Sequence, residues 1–160
     1  MRRKDVKTMI AYYFGIPAMR ALLDSERAEL EDQYNSLRGL SYDGVPHSSM
    51  PGKPTEELAA RLDERNVRNR LEEIAVKDRV LLMDRENIQG CIDALGGRCK
   101  RLIFERHRDR CSWAKLAVRY GKPDSTVRRW YDSAVERLGE ALEEVPMYDE
   151  ILARASRARV

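Results

Sequence analysis

The fold is decided by residues 112–138, which read SWAKLAVRYGKPDSTVRRWYDSAVERL. This segment predicts two amphipathic helices joined by a tight turn, because Gly121 separates two stretches of helical periodicity. Apolar or small side chains recur where two steeply crossing helices would bury their contacts: Leu116, Ala117, Tyr120, Val127, Trp130 and Ala134. This order is that of a helix-turn-helix, in which DNA-binding proteins present a recognition helix to the duplex.

The ends of these helices are marked by capping residues. Ser112 is a favourable N-cap for the first helix, and Asp124 or Ser125 is suited to cap the second, which we expect to end near Val145. A further helix from Cys99 to about Arg108 would support the pair from behind. For Trp113, Trp130 and Tyr131 we expect packing in the core rather than stacking on bases.

The charge of the chain is concentrated around this segment. The net charge is +3 overall, but residues 98–137 carry +7, whereas residues 1–97 and 138–160 carry −2 each. A concentrated positive block favours a polyanion as partner, because neutralising phosphates releases condensed counterions. The alternative is a solvated arginine-rich face paired with glutamates.

The amino-terminal half predicts two long helices. The first extends from about Lys4 to Leu37, with a kink or short break expected at Ile16-Pro17. Residues 39–54 are rich in Gly, Pro and Ser and predict a loop, after which Thr55 is a plausible N-cap. The second helix repeats apolar residues at intervals of seven: Val67, Ile74, Leu81, Ile88 and Leu95. We expect a helical hairpin rather than a two-stranded coiled coil, because the companion row is only half apolar.

The predicted fold class is therefore all-α, with a long N-terminal helical hairpin followed by a C-terminal helix-turn-helix domain. We expect a hairpin and oligomerisation region at 1–97, a DNA-binding domain at 98–145 and a tail at 146–160. The tail ends in ARASRARV, residues 153–160, a short basic stretch that we expect to be frayed.

The residues also resemble a known family. The order Leu116, Ala117, Tyr120-Gly121, 125–128, Ala134 and Leu138 resembles region 4 of the sigma-70 family. The segments 42–47 and 52–55 are similar to part of small phage and prophage proteins of Gram-positive bacteria, which include the RinA/ArpU-like regulators of late phage transcription. These proteins place a helical half before a half that is similar to sigma region 4.

The resemblance implies which residues meet DNA. Those expected to face the major groove are Ser125, Arg128, Arg129 and Asp132, with Lys122 and Thr126 near the phosphates. Those expected to position the DNA backbone are Lys100, Arg101, Lys115 and Arg119. Either Arg128 or Arg129 is suited to guanine, because its planar fork matches two acceptors in the major groove. The alternative for each arginine is an ion pair with Asp132 on its own helix.

The function predicted from these features is sequence-specific binding of a promoter or operator by a transcriptional regulator of phage or prophage genes. Its partners would be double-stranded DNA, further copies of the chain and host RNA polymerase. The rival interpretation is a protein-interaction adaptor that binds RNA polymerase or serves phage packaging. No catalytic motif or phosphate-binding loop is present, so we expect neither an enzyme nor a cofactor.

The cysteines and the hydropathy predict the cellular compartment. Cys91, Cys99 and Cys111 are an odd, sparse set, which disfavours disulfides and suits small buried side chains. Among these cysteines and His107, only His107 and Cys111 are near neighbours, whereas structural zinc sites usually bring their ligands in close pairs, so no metal is expected. No apolar run approaches the roughly 18 residues that span a bilayer, and no signal peptide is recognisable. We therefore expect a cytosolic protein that does not enter a membrane.

Overall fold

The computed structural model describes residues 2–39 and 54–158, which form six α-helices and no strand. The helices are α1 (Arg3–Gly39), α2 (Pro54–Ala94), α3 (Gly97–His107), α4 (Trp113–Tyr120), α5 (Asp124–Glu143) and α6 (Tyr148–Arg157). The predicted all-α class is confirmed. In the described part of the chain, no helix combines the length and apolar composition needed to cross a bilayer.

The chain divides into two compact units, and both long helices contribute to each. One unit comprises Met1–Pro17 and Leu82–Val160, and the other comprises Ala18–Leu81. The N-terminal part of α1 and the C-terminal part of α2 thus belong to the same unit as the four shorter helices. An independent domain at 98–145 stays a prediction.

In the unit 18–81, α1 and α2 lie antiparallel, as expected for a hairpin. Arg20 donates from Nε to Asp78 Oδ1 at 2.6 Å, and Arg70 donates from Nε to Glu26 Oε1 at 2.8 Å. The residue number on α2 falls as the number on α1 rises, which defines the direction. The Arg20 guanidinium lowers the pKa of Asp78, chiefly through this hydrogen bond.

The predicted row of apolar residues on α2 forms its buried face. Val67 and Ile74 are buried in the unit 18–81, and Ile88 and Leu95 are buried in the other unit. Leu81 is partly exposed. The interval of seven therefore identified the packed side of this helix, although one position is less covered than expected.

The expectations at two helix positions need correction. Of the kink or short break expected at Pro17, the break does not occur, because α1 continues through this residue to Gly39; the kink stays a prediction. A proline inside a helix costs about 3 kcal/mol, but the neighbouring Tyr13 and Ile16 are 5% and 0% exposed. Burying each such side chain contributes about 1.5–3 kcal/mol, enough to offset that cost. Thr55 is not the N-cap of α2, which already begins at Pro54.

The expectation of a frayed end is wrong for residues 153–157, which belong to α6. Ile151 and Ala155 on this helix are buried. Arg154 donates from Nε and Nη2 to the two carboxylate oxygens of Asp84 at 2.8 and 2.7 Å. Tyr12 Oη donates to the same carboxylate at 2.8 Å, so α1, α2 and α6 meet at one buried acid.

The core around α5 positions the segment that the sequence singled out. Leu102 and Ile103 on α3 are buried, and α3 packs against α5 as the predicted supporting helix. The buried positions of α5 recur every three or four residues: Val127, Tyr131, Ala134, Val135, Leu138, Gly139 and Leu142. One side of α5 is therefore fixed in the core, and its other side is left to solvent.

Candidate nucleic-acid interface

The short helix α4 begins and ends as the sequence predicts. The Ser112 hydroxyl accepts a hydrogen bond from the backbone N–H of Lys115 at 3.2 Å, which confirms Ser112 as the N-cap. Gly121 ends the helix in the left-handed conformation, with φ 58° and ψ 37°. Residues 121–123 then connect α4 to α5, and the two helices pack together through the fully buried Leu116 and Val127.

The start of α5 differs slightly from the prediction. Asp124 is its first residue, and Pro123 occupies the N-cap position without a side-chain hydrogen bond. Neither Asp124 nor Ser125 is therefore the cap. The fixed φ of proline nonetheless suits the approach to a helix start, and Asp124 in the first turn is favoured by the helix dipole.

Ser125 and Arg129 lie on the exposed side of α5, one turn apart. A residue advances about 100° around an α-helix, which places both roughly opposite the buried positions Val127, Tyr131 and Leu138. Among the described residues, Arg129 makes no hydrogen bond, ion pair or aromatic contact. Its five donors are free to meet a partner.

Arg128 is held differently from its neighbour. Its Nε donates to Asp124 Oδ1 at 2.9 Å, and its guanidinium lies 5.2 Å from the centre of the Trp113 ring. The expected alternative of an ion pair within α5 thus occurs for Arg128, but with Asp124 instead of Asp132. The structure thereby separates two arginines that the sequence could not distinguish.

Asp132 pairs with Arg3 at the start of α1. The sequence predicts that Asp132 faces the major groove, and the ion pairs expected for it as an alternative are with arginines of its own helix. Arg3 lies 129 positions away in the chain, and no local signal points to it. The side chain of Asp132 remains 39% exposed.

The residues expected to position the DNA backbone fall into two groups. Lys100 pairs with Asp93 at 2.5 Å, and Arg119 pairs with Glu105 at 2.7 Å, so both already have an acidic partner. No ion pair within the described ranges engages the remaining candidates, which are Arg101, Lys115 and Lys122. All three are exposed, whereas Thr126 is only half exposed.

Glu105 organises the back of α4. This buried carboxylate accepts from Arg119 Nη1 at 2.7 Å and from Tyr120 Oη at 2.9 Å. Burial, followed by the hydrogen bond to Glu105, raises the pKa of Tyr120 to about 12. α3 therefore fixes α4 through polar contacts as well as through apolar packing.

The aromatic residues divide between core and surface. Tyr131 is buried, which confirms the expected packing, but Trp113 and Trp130 are only half buried. Arg106 lies 4.6 Å from the centre of the Trp113 ring, and Arg98 lies 4.3 Å from that of Trp130. Both indoles therefore have a guanidinium on one face, a favourable cation–π arrangement.

Cys91 and Cys111 are buried as expected, whereas Cys99 is partly exposed. Over the ranges that the structure covers, no group of three or more His, Cys, Asp or Glu side chains is placed to hold a metal ion. Segments 42–47 and 52–53, which carry part of the family resemblance, lie outside the described residues.

An open cleft of about 420 Å³ lies beside α5, and the sequence did not reveal it. It is lined by residues of α1, α3, α4 and α5: Arg3, Lys7, Arg106, His107, Trp113, Arg128, Tyr131 and Asp132. His107 Nε2 lies 2.6 Å from Tyr131 Oη. Burial, with the nearby charges of Arg106 and Lys7, lowers the pKa of His107 to about 4, so the ring is neutral at pH 7.

Comparisons with known proteins identify no relative of this chain: no protein-family model, no curated protein and no solved structure matches it.

Proposed function

We propose that the protein binds double-stranded DNA sequence-specifically and regulates transcription, with α5 as the helix that enters the major groove. The observation that carries this proposal is the side of α5 that bears Ser125 and Arg129. α5 begins directly after the turn that contains the left-handed Gly121. Its side with Ser125 and Arg129 is exposed, and Arg129 has no partner in the described part of the chain. The chemistry of that side is suited to base edges.

Arg129 is the residue best suited to read a base. A free guanidinium on the outer side of a helix can make two parallel hydrogen bonds to guanine O6 and N7. Ser125, one turn earlier on the same side, can donate to or accept from either a base or a phosphate. Arg128 would first have to leave Asp124 and the Trp113 ring.

The charge distribution supports a nucleic-acid partner. Residues 98–137 carry a net charge of +7, and three exposed cations on α3, on α4 and in the turn before α5 have no acidic partner among the described residues: Arg101, Lys115 and Lys122. Such cations attract the phosphate backbone whatever the sequence, and the base contacts then select the site. By its resemblance, we place the protein among phage or prophage regulators acting in the cytoplasm of a bacterial host.

The test begins with selection of genomic fragments by the full-length protein. The dissociation constant for the enriched site is then compared between the wild type and Arg129→Ala at fixed salt. Loss of a two-bond contact to guanine should weaken specific binding roughly 10-fold or more. Binding to unrelated duplexes should weaken much less, because only the backbone term remains.

Arg79→Ala is the matched control, since Arg79 is exposed on α2 and has no ion pair among the described residues. It removes one positive charge outside the proposed interface and should leave the site preference unchanged. The proposal is wrong if the wild type enriches no fragment. It is also wrong if the two variants lose specific affinity equally.

The rival role as a protein-interaction adaptor has one specific observation in its favour. Val118 on α4 is 84% exposed, more than any other large apolar side chain in the described part of the chain. A partner such as RNA polymerase could cover it. Val118→Asn should then abolish binding to the host polymerase in a pull-down and, because it changes no charge, leave the affinity for DNA unchanged.

A further inference from the structure

The cleft beside α5 gathers positive charge from helices that are far apart in the sequence. Arg3 and Lys7 come from the first turns of α1, Arg106 from α3 and Arg128 from α5. Asp132 is the only carboxylate among the lining residues. Four cations around one acid make a surface that attracts anions.

The floor of the cleft is aromatic and uncharged at neutral pH. Tyr131 is 4% exposed, and its hydroxyl meets the neutral His107 ring. Phe14 also stacks on that ring, with the planes at 2° and the centroids 6.0 Å apart. The floor is thus held rigidly in the core, while the cations stand around its rim.

The cations have partners that a phosphate could replace or share. Arg3 pairs with Asp132 and Arg128 with Asp124, and the side chains in both pairs are 39–53% exposed. Arg106 donates to the carbonyl oxygen of Cys111 through a single nitrogen. Arginine has five donors, so each guanidinium keeps some free. Lys7 is exposed and has no ion pair with a described residue.

We propose that this cleft binds a phosphate group of the DNA backbone when α5 enters the major groove. The inference rests on the proposed function and adds a contact made by α1 to those made by the helix-turn-helix. Arg128 and Arg129 are adjacent, so their side chains leave α5 about 100° apart. When Arg129 faces the bases, the DNA strand beside α5 therefore passes along the side of the helix on which Arg128 and the cleft lie. The openness of the cleft suits a continuous strand better than an enclosed small molecule.

Lys7→Gln tests the proposal, because it removes one charge from the cleft at an exposed position. If Lys7 neutralises a phosphate, the negative slope of log K against log salt should become less steep by about 0.9, which corresponds to roughly eightfold weaker binding at 0.1 M salt. The loss should be equal for the enriched fragment and for a random duplex, because a phosphate contact carries no sequence information. Lys77→Gln, on an exposed site of α2, removes the same charge elsewhere and should change neither quantity.

Asp132→Asn provides a test of opposite sign. It removes the carboxylate from the cleft and frees Arg3, so DNA should bind more tightly and with a steeper salt slope. If Asp132 instead contacts a base, the same variant should weaken binding to the enriched site only. The second result would overturn the cleft assignment.

A fluorescence experiment distinguishes a phosphate of the DNA backbone from a small soluble phosphate as the ligand of the cleft. In Trp130→Phe the single remaining tryptophan is Trp113, which lies in the cleft. Duplex DNA should change its emission, and millimolar inorganic phosphate or nucleoside monophosphate should not. A saturable response to either small anion overturns the assignment to DNA and identifies a soluble ligand.

Failure of this proposal can be told from failure of the proposed function. If the wild type binds its enriched site but Lys7→Gln behaves like Lys77→Gln, the cleft is not a phosphate site and α5 still reads DNA. If the wild type binds no duplex at all, the proposed function fails, and the assignment of the cleft to DNA fails with it.

Discussion

Replacing Arg154 with alanine should destabilise the fold more than any exposed ion-pair variant. Asp84 is 2% exposed, and the Arg154 guanidinium donates two of the three hydrogen bonds that this carboxylate accepts from described residues. Arg154→Ala leaves a buried carboxylate with Tyr12 as the one remaining donor in the described part of the chain. Breaking a buried pair in this way costs 3–5 kcal/mol in general. Arg154 is 27% exposed, which lets water reach the acid, so we expect about 3 kcal/mol.

The assay is urea unfolding followed by far-ultraviolet circular dichroism. Arg70→Ala is the control, since it breaks pairs to Glu26 and Glu73 that are 36–58% exposed. It should lower the free energy of unfolding by no more than about 1 kcal/mol. A second test adds Asp84→Asn to Arg154→Ala. The neutral amide can still accept from Tyr12 and carries no charge to desolvate, so the double variant should be more stable than Arg154→Ala alone. Equal effects of Arg154→Ala and Arg70→Ala, or no rescue by the amide, would refute the reasoning.

Two further predictions concern the pH response and the turn. The pKa of His107 is lowered from 6.5 to about 4 by folding, so the unfolded chain binds more protons between these values, and stability should fall as pH drops through this window. After allowing for the partial exposure of the ring, we expect a loss of about 1 kcal/mol between pH 7 and 5. The loss should be present in the wild type and absent in His107→Gln, both followed by urea titration; equal pH dependence in the two proteins would contradict it. Gly121→Ala should cost about 1 kcal/mol, because alanine is strained in the left-handed region, and Gly121→Asn should cost less. Nothing lies within 4 Å of an added Cβ there, so an equal loss of thermal stability in both variants would show that the backbone conformation is not the cause.

Much of the fold was predictable because its signals are local. The interval of seven on α2, the Ser112 cap and the left-handed Gly121 depend on neighbouring residues and on helical periodicity. The all-α class follows from the same signals. Structure can be predicted from the sequence where the residues that determine a helix lie within that helix or next to it.

The errors arose where distant residues decide the outcome. Pro17 lies within a continuous helix because buried neighbours offset its local cost. The tail forms α6 because Arg154 reaches Asp84, 70 positions earlier in the chain. No residue near Arg154 in the sequence indicates that Asp84 is its partner. The spacing of Ile151 and Ala155, four residues apart, gives only a weak indication of a helix.

The candidate site shows the same division. Composition and spacing identified the exposed arginines of α5, but they could not tell Arg128 from Arg129. The difference comes from Trp113, 15 positions before Arg128, together with Asp124 in the first turn. The cleft could not be predicted from the sequence either, because two of the residues that line it, Arg3 and Lys7, lie at the other end of the chain.

Protection of guanine N7 from methylation tests the central claim most directly, because this atom lies in the major groove and is an acceptor that arginine uses. At saturating protein on the enriched site, the wild type should protect at least one guanine that Arg129→Ala leaves reactive, while neighbouring guanines stay protected by both proteins. If wild type and variant give the same pattern of protection, or if neither protects any guanine, Arg129 on α5 does not read the major groove.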